Sequence, residues 1–287
     1  MKETEGSARV NGIDIAYVSV GDGPPVLALH GGPGLGHTYI RPAFDALADR
    51  YRVIYPDQRG SGRTPLGDAE LLSIDGAISD LEGLCDALGL PRVNVAGHST
   101  SALLALVWAA ERPERITSLV AAHPAPPFVN ELADRLWAEM ERRQTPEDKE
   151  ELGRIMSSDV FARREPKAVE ALFRTMYLPF FTSRALAESL DFGFTEITAA
   201  NIVGTEERMM EDLERHHPLE ALANIQAPTL VLGAELDPSP EEFARLVADK
   251  VAGAQYAFIE GANHFSYLDQ PERFESMVRS FLDEHAR

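Results

Sequence analysis

The chain has 287 residues, 44% of them apolar, enough to bury one large core with room for a subordinate lobe. Its 46 acidic and 27 basic side chains leave a net charge of −19 with no Lys/Arg cluster, so neither nucleic acid nor an anionic membrane surface is an expected partner. Cys85, the single cysteine, excludes an internal disulfide. The first 12 residues lack the apolar stretch of a secretory signal. The longest apolar run, 102–110, falls far short of the roughly 20 residues that cross a bilayer. A cytoplasmic protein is expected.

Residues 8–10 and 13–20, around Asn11-Gly12, predict a β-hairpin. Residues 25–30 form an unbroken apolar run, the pattern of a strand buried on both faces of a parallel sheet. A helix over 37–50, a strand over 51–55 and an amphipathic helix over 74–90 follow, then strand 93–96, helix 101–111 and strand 116–122. After an interval come strand 229–233, helix 240–251, strand 255–259 and helix 270–285. Strands alternating with helices predict an α/β fold with a mostly parallel sheet and helices on both faces. The interval reads almost wholly helical, over 129–144, 146–156, 166–176, 183–190 and 206–215, and opens on Pro124, Pro126 and Pro127. It predicts a helical cap over 124–217 inserted into a core made of 1–123 and 218–287.

Three segments bear chemistry at the ends of predicted strands. Gly97-His98-Ser99-Thr100-Ser101 turns a strand into a helix, which lifts the Ser99 hydroxyl above the sheet and aims the first helical N–H groups at whatever it attacks. Ser101, two residues on, is a lesser candidate nucleophile. A serine needs a base and an orienting acid. Leu232-Gly233-Ala234-Glu235-Leu236-Asp237 offers Asp237, with Glu235 as the alternative. Of eight histidines only His264 combines a preceding strand, a glycine turn at Gly261 and an apolar neighbour, Phe265. His98 is expected to pack beneath the serine turn, and His30 and His123 to serve structural roles at strand ends. His30-Gly31-Gly32-Pro33-Gly34 lets backbone approach an oxyanion closely, making the Gly32 and Thr100 N–H groups the expected donors. A phosphate-binding loop at this place would need the N–H that Pro33 lacks and a G-x-G-x-x-G spacing that is absent. No histidines or carboxylates stand at metal-ligand spacing, so neither a metal nor another cofactor is expected. Asp57 to Thr64 (DQRGSGRT) reads as a structural turn around Asp57. A serine hydrolase follows; a non-catalytic binding protein of the same fold would be expected to lack one of the three residues.

HGGPG, DQRGSGRT, the serine turn, the inserted helices and the order Ser-Asp-His resemble the α/β-hydrolase fold, and within it the proline iminopeptidase branch and its esterase relatives. The resemblance covers 13–122 and 225–285. It implies Ser99, Asp237 and His264 as a catalytic triad, with Gly32 and Thr100 as the oxyanion hole. Epoxide hydrolases and haloalkane dehalogenases share this core but carry aspartate where this chain has Ser99. Two features depart from the iminopeptidases: the turn reads GHSTS, and Ala199 stands where a glutamate for the substrate's free amine is expected. Glu196, Glu206 or Glu207 are the available substitutes. Trp137, Phe173, Tyr177, Phe180, Phe181 and Phe192 are candidate pocket walls, with Glu196, Trp137 and Phe181 as substrate-binding candidates. The resulting expectation is a hydrolase of small carboxylic esters acting through an acyl-enzyme, the alternative being release of N-terminal residues from short peptides.

Overall fold

The computed structural model describes residues 2–32, 34–125, 130–216 and 219–286, without the side chains of residues 130, 206, 207, 210 and 214–216. Eight strands form one sheet in the order β1-β2-β4-β3-β5-β6-β7-β8. β1 (Glu3–Val10) and β2 (Ile13–Val20) pair antiparallel across Asn11 and Gly12, both at positive φ, which matches the right-handed strand twist. β2 is also antiparallel to β4 (Arg52–Pro56). β3 (Pro25–Leu29), β5 (Val93–His98), β6 (Ile116–Ala122), β7 (Thr229–Ala234) and β8 (Gln255–Ile259) continue as a parallel sheet from β4. The apolar core lies on both faces of this sheet.

Helices α1 (Ile74–Ala87) and α2 (Thr100–Glu111) precede β6. Residues 101–110 of α2 are all buried, as expected for a helix apolar on every side. Between β6 and β7 the long elements are helices: α3 (Asn130–Arg143), α4 (Pro146–Met156), α5 (Pro166–Met176) and α6 (Glu196–His216). α7 (Glu241–Lys250) and α8 (Pro271–His285) complete the chain. Pro126 and Pro127, and position 217 at the expected cap boundary, lie outside the described residues.

Three sequence expectations differ from the structure. The segment 37–50 is not one helix but short turns, His37–Ile40, Arg41–Phe44 and Asp45–Asp49. Pro42 has no N–H for the Thr38 carbonyl, and Asp57 takes both the backbone and ring nitrogens of His37. β1 begins at Glu3 rather than residue 8, because an exposed edge strand carries no alternating apolar signal. α6 begins at Glu196 rather than residue 206. Its first turns are rich in β-branched residues and carry Gly204, a weak helical sequence, yet they dock on the core. Thr198 Oγ1 accepts the Gly62 N–H at 3.0 Å, and a Cβ on Gly34 would stand 2.7 Å from Ile202 Cα.

Asp80 on α1 ties three segments together. It accepts two hydrogen bonds from Arg59, both at 2.8 Å, and one from Asn11 of the hairpin turn at 2.8 Å. The pair is nearly sealed, with side-chain exposures of 4% and 6%. Asp80→Ala leaves the Arg59 charge buried without a partner and should cost about 3–5 kcal/mol, read as a lower urea midpoint. Replacing both residues by apolar ones (Arg59→Met with Asp80→Leu) should recover most of that loss. A double variant as unstable as the single would show that the pair does not act through buried charge.

Candidate active site

Ser99 follows β5 and sits at φ 58, ψ −125, a conformation that side chains other than glycine rarely occupy. Surrounding clearances are compatible only with glycine. A Cβ on Gly97 would lie 2.2 Å from the Ser101 carbonyl, and one on Gly31 would lie 2.3 Å from the His98 carbonyl. The Ser99 N–H donates to the Ala122 carbonyl at 2.9 Å, and Thr100 begins α2 directly after it. The first N–H groups of a helix have no partner within it, so they face the space beside Ser99. Ser101 is differently placed: buried, its hydroxyl donates to the His30 carbonyl at 2.5 Å and accepts from Gln58 at 3.1 Å.

Beyond β7, the Asp237 side chain is nearly sealed, 4% exposed. Its Oδ2 lies 2.9 Å from His264 Nδ1, and its Oδ1 accepts the Ser239 N–H at 2.8 Å. Burial opposes the carboxylate charge, but His264 and His123 outweigh it and hold the Asp237 carboxyl well below the usual range. Glu235 does not reach the imidazole; it accepts the Gly261 N–H at 2.8 Å. With Nδ1–H directed at Asp237, the other ring nitrogen of His264 is free to take a proton. His264 lies beyond β8 and is 3% exposed. The Phe180 ring stands over it at 4.3 Å, and Phe181 stacks on Phe265 at 4.3 Å.

The elbow and the histidine loop are joined through His98, whose Nε2 donates to the His264 carbonyl at 3.0 Å. His98 Nδ1 lies 3.2 Å from the Tyr39 hydroxyl, which in turn accepts the Gly31 N–H. The Gly31 N–H is thereby occupied, while that of Gly32, at φ 55, finds no acceptor among the described residues. Pro33 lies outside the described residues. Asp57 accepts from the backbone and side chains of both His37 and Arg63, which leaves it a structural role in its turn.

Sequence reasoning missed how His123 is used. At the end of β6, with φ 51, its Nδ1 lies 3.5 Å from Asp237 Oδ2 and its Nε2 lies 2.6 Å from Ser266 Oγ. Its position after a strand was visible in the sequence; its carboxylate neighbour, 114 positions on, was not. Among the substrate-binding candidates, Phe181 is buried beside the histidine loop. Trp137 is 52% exposed on α3, and Glu196 is exposed at the start of α6, so neither is brought to the Asp237–His264 pair. The side chains of Glu206 and Glu207 lie outside the described residues.

These loops leave the carboxyl ends of parallel strands, where open α/β sheets place their chemistry, and the class so defined is an α/β hydrolase. Comparison agrees: residues 24–271 match the family described as alpha/beta hydrolase fold, and the chain belongs to that family. Over its length it resembles the proline iminopeptidases. It is 25% identical over 303 residues to the proline iminopeptidase of Lactobacillus helveticus (strain DPC 4571), with 99% of each chain covered. The enol-lactonase from Burkholderia xenovorans LB400 shares the fold at a TM-score of 0.72 and 20% identity, covering 97% of this chain and 100% of its own. The proline iminopeptidase of Mycobacterium smegmatis does so at 0.70 and 20%, covering 99% of both. The protein is a hydrolase. No helix among the described residues is long and apolar enough to cross a membrane.

Burial disfavours the protonated form of three histidines here, lowering His30 to about 4 and His98 and His123 below the ordinary 6.5. In the unfolded chain they take up protons near 6.5, so between that value and about 4 the unfolded state binds more protons. Stability should therefore fall as pH drops through this window, seen as a declining Tm. A Tm that stays flat down to about pH 5 would contradict neutral buried histidines.

Proposed function

We propose that the protein is a serine hydrolase of small carboxylic esters, with helical residues 124–217 capping the site. The Asp237–His264 pair beside the strained Ser99 elbow carries the reading. His264 removes the Ser99 hydroxyl proton as Oγ attacks the ester carbonyl. The Gly32 and Thr100 N–H groups receive the developing oxyanion. Collapse of the tetrahedral intermediate expels the alcohol, which takes the proton from His264 and leaves an acyl-Ser99 ester. A water, deprotonated by His264, then attacks this ester; the second tetrahedral intermediate breaks its bond to Ser99 Oγ, which recovers the proton from His264 as the carboxylic acid leaves. Asp237 fixes the imidazole tautomer and stabilises its cation.

The ester preference rests on what surrounds His264. Phe180, Phe181 and Phe265 present apolar faces there. The nearby carboxylates are engaged: Asp269 by the Asn263 N–H and the Thr182 hydroxyl, Glu235 by the Gly261 N–H. Ala199, fully buried, offers no charge. A free α-ammonium brought here would lose its hydration and would have to compete with these donors for a counter-charge. The similarity to proline iminopeptidases favours the second reading, release of N-terminal residues from short peptides.

Ser99→Ala should reduce kcat by a factor on the order of 10⁴ to 10⁶ with an unchanged circular dichroism spectrum. Survival of activity in that variant, with loss in Ser101→Ala, would move the nucleophile. Asp237→Asn should cost roughly 10⁴ in kcat, whereas Glu235→Gln should be mild; the reverse order would reassign the acid.

Between substrates, p-nitrophenyl esters should show a higher kcat/KM than proline naphthylamide. If the amide is the better substrate, and neutralising Glu196, Glu206 or Glu207 raises its KM, the peptide reading replaces this one.

A further inference from the structure

β6 lies between β5, which ends at the Ser99 elbow, and β7, which leads to Asp237. The residue that follows β6 therefore stands between nucleophile and acid, and that residue is His123. Its backbone N–H donates to the Leu232 carbonyl at 3.0 Å, and the carbonyl before it, of Ala122, receives the Ser99 N–H at 2.9 Å. Its φ of 51 lies in the left-handed region, which a residue with a side chain enters at a cost and keeps only where its surroundings enforce it. Held in this way, the His123 side chain is fully buried, with its ring centre 5.8 Å from that of His264.

Two contacts fix where the proton of this ring lies. Nε2 is 2.6 Å from Ser266 Oγ, and that buried hydroxyl has no other partner among the described residues, so its hydrogen is satisfied by donation to Nε2. Nδ1 is 3.5 Å from Asp237 Oδ2, where a lone pair would be repelled by the carboxylate and an N–H attracted to it. Both place the hydrogen on Nδ1. This donor is buried, has no partner at hydrogen-bond distance among the described residues, and faces Oδ2 from just beyond that distance. Oδ2 is also the oxygen that meets His264 Nδ1, while Oδ1 takes the Ser239 N–H. A turn of the carboxylate about its Cβ–Cγ bond would withdraw Oδ2 from His264. We propose that His123 is a positioning residue for the reaction: its neutral ring, set in the Nδ1–H tautomer by Ser266, keeps Asp237 Oδ2 against His264. It touches no reacting atom and acts through Asp237. The inference rests on the serine-hydrolase reading above, in which Asp237 orients the base.

Steady-state kinetics on p-nitrophenyl acetate test it. His123→Leu, which removes the N–H, should lower kcat by roughly tenfold to hundredfold, the range for a hydrogen bond to a charged group. KM should change little, because no contact with the substrate is lost. His123→Asn should recover most of the loss: its side-chain NH₂ falls where Nδ1–H stood, and asparagine tolerates the left-handed backbone. Leucine strains that backbone, so Ser266→Ala supplies a second measurement that leaves φ at 123 and the Asp237 side chain alone. Releasing the tautomer in this way should lower kcat by about fivefold, the value of one neutral hydrogen bond. In Asp237→Asn no carboxylate remains to be held, so adding His123→Leu should cost nothing further. The proposal is overturned if Ser266→Ala keeps full kcat, if asparagine at 123 is as damaging as leucine, or if the His123 and Asp237 losses multiply. Full activity of His123→Leu beside a crippled Asp237→Asn would overturn the role of His123 alone. A mild Asp237→Asn would instead bring down the catalytic reading, and this inference with it.

Discussion

The backbone at Ser99 is the constraint around which the site is arranged. At φ 58 and ψ −125 it occupies a region costing on the order of 1–3 kcal/mol for a residue with a side chain. Strain of that size persists only where neighbours leave no alternative. Here β5 enters the turn paired on both sides, by β3 and β6, and α2 leaves it buried along residues 101–110. The bare Cα atoms of Gly31 and Gly97 let the turn close. The reward of the geometry is positional: a hydroxyl lifted clear of the sheet beside the start of a helix whose N–H groups are free to meet negative charge.

The electrostatics follow the same logic of enforced proximity. Asp237 stays ionised inside the protein because two imidazoles and a backbone N–H surround it. Three histidine rings, His98, His123 and His264, crowd within 6.0 Å of one another. Such a cluster tolerates burial because His98 and His123 are held neutral, one bonded to the His264 carbonyl and the other to Ser266. A single buried carboxylate thus holds the His264 imidazole while its neighbours supply hydrogen bonds rather than competing charge.

The helices between β6 and β7 are joined to this centre at two seams. On the acid side, Asn263 donates to the Pro179 carbonyl and Arg143 to the Leu236 carbonyl, tying these helices to the loops of His264 and Asp237. On the side of the Gly31–Gly32 loop, Thr195 and Thr198 bond Gly62 while Ile202 packs on Gly34. Movement of these helices would therefore disturb the loops beside Ser99 and His264 together.

The amino-acid sequence by itself determined the sheet and its order of chemistry. Apolar runs such as 25–29 and 230–233 have no polar face and so belong to a parallel sheet covered on both sides. Turn residues then mark which side chains leave the carboxyl ends of those strands. That local signal brought Ser99, Asp237 and His264 forward as candidates and kept Glu235 in contention. Only tertiary structure separates Asp237 from Glu235, because both leave the same turn and just Asp237 reaches the imidazole. It likewise drew the first ten residues of α6 into a helix against their weak propensity, since docking on Gly34 and Gly62 outweighs local preference. Trp137 and Phe181 looked alike as aromatic residues of the predicted cap, yet one faces solvent and the other stacks on Phe265. Periodicity reports which face of a helix is apolar. What that face meets depends on how distant segments pack, and no local pattern records it.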